Sequence, residues 1–162
     1  PIPGDNRSTC ITKLSDKTIY NYLDIGMRIG RKTGPRPVES YFPEAEKLGI
    51  DWLELGCESP ANYPHSFDAK RIAGVKDLAG KYGIFYGLHS GSYANSAELM
   101  PTIRKAVEQH LIEYIELAAK LEASYLVIHC GYHFSMYMDD VYRALLSTFK
   151  RSSMWQKSNG FR

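Results

Sequence analysis

The chain has 162 residues, 44% hydrophobic and 23% charged, a balance that suits one core-bearing globular domain and excludes a disordered or fibrous chain. Twenty basic against eighteen acidic residues leave a net charge of +2, with no stripe of Lys and Arg to neutralise a run of phosphates, so charge gives no argument for nucleic acid. Cys10, Cys57 and Cys130 form an odd set without CxxC spacing, which excludes a disulfide scaffold or thiolate zinc site and is read as a reducing, cytoplasmic setting; no apolar run reaches the ~18 residues of a membrane helix.

Residues 1–20 read as an extension without the basic and apolar segments of a signal peptide. Residues 21–162 form the folded unit. Leu23, Ile25, Met27 and Ile29 alternate with other residues over Tyr22–Ile29, which predicts a first strand. The basic loop Gly30–Pro37 follows and leads into a helix from Pro37 to Leu48 with Val38, Phe42, Ala45 and Leu48 on one face. A second helix is expected over Asp68–Tyr82, with Ile72, Val75, Leu78 and Ala79 facing inward. A third runs over Ala97–Glu122, its stripe including Ile103, Ala106, Val107, Leu111, Tyr114, Leu117, Ala118 and Leu121. Helical spacing returns at Val141, Leu145 and Phe149.

Between these helices one phrase recurs: the end of an amphipathic helix, a small residue, then a short apolar run. It appears at Gly49-Ile-Asp-Trp-Leu-Glu54-Leu, at Gly83-Ile-Phe-Tyr-Gly-Leu-His89 and at Ala123-Ser-Tyr-Leu-Val-Ile-His129, and a fourth copy begins at Gly160. Glycine past a helix suits a left-handed cap, and each run has the length of a buried strand. The corners recur about every 37 residues, so eight units would make about 300, the size of a (β/α)8 barrel. The expected architecture is α/β: about four parallel βα units of a TIM barrel, ending at the start of strand five. Half a barrel leaves sheet edges and apolar interior open, which predicts self-association and an inactive chain when isolated.

The carboxyl ends of such strands are where ligands and catalytic groups gather. This order places Arg28 after strand one, Glu54, Cys57 and Glu58 after strand two, His89, Ser90 and Tyr93 after strand three, and His129, Tyr132 and His133 after strand four. Imidazoles and carboxylates converging from separate strands hold a divalent metal or move protons at neutral pH. His89, His129 and Glu54 are the expected catalytic residues, with His89 and His129 also as metal ligands. His133, Tyr93, Tyr132 and Arg28 are expected to bind substrate. Cys57 and Cys130 lack a base at fixed spacing and read as small packing residues. His65 and His110 carry no functional weight.

The phrases ending in Glu54-Leu, Leu-His89 and His129-Cys-Gly resemble the xylose-isomerase-like barrels, which include sugar-phosphate isomerases and epimerases and the endonuclease IV enzymes. The resemblance covers about residue 22 onward. It implies a divalent metal (Mn, Co, Mg or Zn) in the barrel mouth, liganded mostly by residues that this chain does not contain. In the sugar branch it implies proton transfer next to a carbonyl of a sugar or sugar phosphate. In the endonuclease IV branch, histidines matching His89 and His129 ligate zinc, and zinc-activated hydroxide cleaves abasic DNA. The near-neutral charge, Glu54, and a first strand lacking the histidine-serine signature favour the sugar branch. An inactive truncated fragment is the non-enzyme alternative.

Overall fold

The computed structural model describes residues 28–132 and 137–158. The first strand, β1 (Gly30–Lys32), is followed by a 3-10 turn (Val38–Tyr41) that runs into helix α1 (Phe42–Leu48). Strand β2 (Trp52–Gly56) leads through 3-10 turns at Pro60–Asn62 and Pro64–Ser66 to helix α2 (Ala69–Tyr82). Strand β3 (Phe85–His89), helix α3 (Pro101–Lys120), strand β4 (Leu126–Val127) and helix α4 (Met138–Ser158) complete the order. The strands make one parallel sheet in the order β1-β2-β3-β4. Strictly sequential order with right-handed crossovers puts every connecting helix on the same face, which is the winding of a barrel rather than of a doubly wound sheet.

The helix-to-strand corners form as the sequence predicts. Gly49 (φ 65°) ends α1 and Gly83 (φ 63°) ends α2, each in the left-handed region with its N–H turned back on the last helical carbonyls. At the third corner Glu122, not glycine, adopts φ 54°, and its carboxylate pairs with Lys76 of α2. Asp68 caps α2 by accepting from the Arg71 N–H at 2.7 Å.

Alternation along the strands divides the sheet into two faces. Leu53 and Leu55 of β2 and Tyr86 and Leu88 of β3 meet Phe42, Val75, Tyr114 and Leu117 of the helices in one core, each large side chain contributing roughly 1.5–3 kcal/mol by burial. The opposite face carries Trp52, Glu54, Phe85, Gly87 and His89. Trp52 stacks on Phe85 with centroids 5.1 Å apart and lies 6.0 Å from Tyr125, and Phe85 and Tyr125 remain exposed. Helix α4 packs against α3, where Arg151 reaches buried Glu108 at 3.0 Å.

Several boundaries differ from the sequence reading. The first described strand is Gly30–Lys32, within the stretch read as a loop; of the expected strand, residues 22–27 lie outside the described residues, as do the extension 1–20 and the start of strand five. All three residues of β1 are exposed, so no hydrophobic alternation marks it. The first helix is split because Pro43 has no N–H for the α-helical bond to Glu39, which leaves the preceding turn 3-10. The third helix begins at Pro101 rather than Ala97, because residues 95–97 are held in a loop contact at the sheet rim. Leu48 and Ile103 were expected inward but are exposed; both occupy terminal helical turns, away from the centre of the sheet.

Candidate functional site

Gly56 lies in register with His89, and His89 with Val127. The next residues of like parity, Glu58 and His129, therefore project from the helix-free face at the carboxyl rim. The His89 and His129 ring centroids are 4.8 Å apart at 78°, and Glu58, His89 and His129 each offer one ligand atom within 4.8 Å of the others. Glu58 Oε1 lies 2.5 Å from Lys32 Nζ and 2.6 Å from His89 Nδ1. Glu54, one pleat deeper, has Oε1 3.9 Å from His89 Nε2.

His89 Nδ1 is buried against Glu58 Oε1 at 2.6 Å, whereas Nε2 of His129 is buried without a hydrogen bond. Buried polar atoms normally find partners, and leaving them unpaired costs about 1–3 kcal/mol each. Two imidazole nitrogens and a carboxylate oxygen within 4.8 Å of one another make a donor set suited to a divalent transition ion, so these residues fit the metal that the fold implies. Burial pushes the Glu58 carboxyl up, but the Lys32 ammonium and then His89 outweigh it and hold the group below its ordinary value. Glu58 is thus ionised at neutral pH.

Beside Glu58 opens a cavity of about 330 Å³, bordered by Lys32, Gly34, Gly56 and Tyr93. The Tyr93 hydroxyl donates to the Glu58 carbonyl, and its ring meets Tyr63 edge-on at 6.3 Å. Beneath the rim, fully buried Tyr114 donates to the Cys57 carbonyl at 2.9 Å and accepts from the Gly91 N–H at 3.2 Å, tying the ends of β2 and β3 together. Burial pushes its phenol up to about 12, so it stays protonated and keeps donating.

The loops after β3 and β4 are clasped in turn. Ser96 Oγ donates to the His129 carbonyl at 2.8 Å, while Asn95 Oδ1 accepts from the N–H groups of Tyr132 (3.0 Å) and Ala97 (3.1 Å). Gly131 makes this possible: it has φ 84°, and a Cβ there would fall 2.3 Å from Asn95 Oδ1. Gly131→Ala is expected to open the clasp, costing about 1–2 kcal/mol of stability and weakening metal binding roughly tenfold, the size of an outer-sphere effect. Urea denaturation and metal titration of the variant check both numbers.

Of the residues expected from sequence, His89, His129 and Glu54 share one face at the rim, and Tyr93 borders the cavity. Tyr132 is exposed, with its main chain in the clasp, and His133 lies outside the described residues. Arg28 is a correction. It precedes β1 and sets its guanidinium 5.1 Å from the Phe85 ring, at the amino end of the sheet, because the strand it was expected to follow begins after it. Cys57 is buried, and burial pushes its thiol up to about 12, which makes it inert packing. The sequence order puts Glu58 on the rim but without a role, and Lys32 is not singled out from its loop. Counting by twos from Glu54 through Gly56 would have put Glu58 on the His89 face.

Solved structures of like architecture include a D-tagatose 3-epimerase-like protein, with TM-score 0.70 and 22% identity over 84% of this chain and 51% of that one. A D-psicose 3-epimerase from Clostridium cellulolyticum superposes with TM-score 0.65 at 16% identity, over 83% of this chain and 50% of that one. Endonuclease IV from Thermus thermophilus follows with TM-score 0.55 at 19% identity, over 78% and 48%. The chain thus spans about half the length of the structures it matches. Among curated proteins, none matches it. The singly wound parallel sheet with its polar rim agrees with a family model that matches residues 42–160, and the chain belongs to the xylose isomerase-like TIM barrels as a partial barrel.

Proposed function

We propose that the chain supplies the first four βα units of a sugar or sugar-phosphate isomerase or epimerase that shifts a proton on a carbon next to a carbonyl. The observation that carries this reading is the Glu58–His89–His129 cluster at the carboxyl rim, with the unpaired Nε2 of His129, beside a cavity of about 330 Å³. That volume suits a small molecule. Glu58, His89 and His129 would hold Mn²⁺, Co²⁺ or Zn²⁺ more readily than Mg²⁺, since imidazole is a poor ligand for the harder ion. When bound, the ion polarises a substrate carbonyl and stabilises the charge that grows as the neighbouring carbon loses its proton.

Within this scheme Glu54 is the carboxylate left free to take the proton, aimed along the same face as the cluster. Tyr125 Oη stands 3.5 Å from Glu54 Oε2. Burial, then the Glu54 charge, raises the Tyr125 phenol above its ordinary value, so it remains a donor beside the carboxylate. Tyr93 borders the cavity. Substrate is a small sugar or sugar phosphate, and the remaining metal ligands come from elsewhere in the ring.

The test is incorporation of solvent deuterium at the carbon next to the carbonyl of D-fructose or D-tagatose, followed by NMR, in the full-length protein that carries this arc. Exchange that depends on added Mn²⁺ or Co²⁺ supports the reading. Its absence, together with cleavage of an abasic-site oligonucleotide in the presence of Zn²⁺, would replace it with the second one, a zinc phosphodiesterase. The two imidazole donors favour that alternative; the near-neutral charge and small cavity favour the sugar.

A further inference from the structure

A single oxygen, Glu58 Oε1, is claimed from two sides: Lys32 Nζ at 2.5 Å and His89 Nδ1 at 2.6 Å. A divalent ion shared by His89, His129 and Glu58 would occupy the histidine side of this oxygen. The ammonium would then stand a few ångströms from a dication, and their repulsion, little screened in a half-buried site, opposes keeping it there. Lys32 is free to leave. Its side chain is 42% exposed, its four-carbon stem is flexible, and it borders the same cavity as Glu58. No Asp or Glu other than Glu58 borders that cavity among the described residues, so an ammonium released into it meets no second carboxylate.

We propose that Lys32 is the stand-in counter-ion of Glu58 until a divalent cation takes the carboxylate, and that the released ammonium then anchors the phosphate group of a small substrate in the adjoining cavity. This rests on the metal reading given above and adds a coupling to it. Loading the cation creates the anion site, and by linkage an anion held there tightens the cation by the same factor. A chain without the cation has its lysine neutralised by Glu58 and binds phosphate poorly.

The experiment is calorimetric titration of Mn²⁺ into the full-length protein that carries this arc and its Lys32→Met variant, at matched free Mn²⁺, with no addition, with inorganic phosphate or with acetate. Lys32→Met is expected to bind Mn²⁺ about tenfold more tightly than wild type without addition, since no ammonium competes. Phosphate is expected to tighten Mn²⁺ binding at least about fivefold in wild type, the lower end of ordinary coupling, and to have no effect on Lys32→Met. Acetate is expected to have no effect on either. Equal or weaker Mn²⁺ binding by Lys32→Met overturns the counter-ion role. A phosphate effect that survives in Lys32→Met places the anion on the metal itself, and an acetate effect as large as that of phosphate shows no phosphate site; either overturns the anchor. If the full-length wild-type protein binds no Mn²⁺, the metal reading itself falls, which separates that failure from the failure of the coupling.

Discussion

His129→Ala is expected to weaken binding of Mn²⁺ or Zn²⁺ at the rim by more than about 100-fold, beyond the 10- to 100-fold typical of losing an outer-sphere partner, with almost no loss of fold stability. Removing a half-buried histidine usually destabilises. Here Nε2 of His129 has no hydrogen-bond partner, so the substitution removes a desolvated polar atom that the fold does not satisfy, and the lost ring contact with His89 is offset. Unfolding free energy should change by less than about 1 kcal/mol. Calorimetry with the metal and urea unfolding without it give the two numbers. A large drop in stability with unchanged affinity would make His129 a structural residue and remove it from the ligand set.

Arg71→Met is expected to destabilise the chain by about 2–4 kcal/mol, somewhat below the range for breaking a fully buried ion pair. Arg71 leaves α2 to join the loop after β2 to the turn before α1. Its Nε and Nη2 meet Glu39 at 2.5 and 3.0 Å, Nη1 donates to the Ala61 carbonyl and Ser66 Oγ, and Nη2 donates to Asn62 Oδ1 at 2.9 Å. The guanidinium also lies 4.0 Å from the Phe67 ring centroid. Methionine keeps the apolar stem, leaves Glu39 without its guanidinium donors and leaves Asn62 Oδ1 with the Val38 N–H alone. Burial alone would raise the Glu39 carboxyl, but Arg71 more than reverses this and holds it below the ordinary value. The pair's stabilisation is therefore complete above the unfolded carboxylate range and fades as pH falls through the lowered folded value. The wild-type advantage over Arg71→Met should shrink on acidification, as chemical denaturation at neutral and acidic pH will measure. A constant difference would assign the effect to packing.

The sequence made the barrel arc legible because its corners are written in small residues: Gly49 and Gly83 cap helices, and the apolar runs behind them become β2 and β3. Their position at the ends of successive apolar runs put His89 and His129 on one rim, and the parallel register brings their rings to 4.8 Å. Two kinds of information were missing. Strand β1 has no hydrophobic face, so its polar residues read as a loop, and Lys32 was not separated from the loop's other cations. Glu58 lies beyond the last strand residue, where the carry-over of strand parity into a loop depends on the Cys57 N–H keeping its bond to the His89 carbonyl. The Arg71 hub unites residues from 39 to 71 through a buried asparagine, and no local pattern encodes such a meeting.

Both flanks of the sheet are formed by its shortest strands, three residues in β1 and two in β4. A neighbour seeking to extend the ladder there would find only a few main-chain rungs, on one side beside the cationic side chains of Arg31 and Lys32. Short, charged flanks resist runaway strand addition.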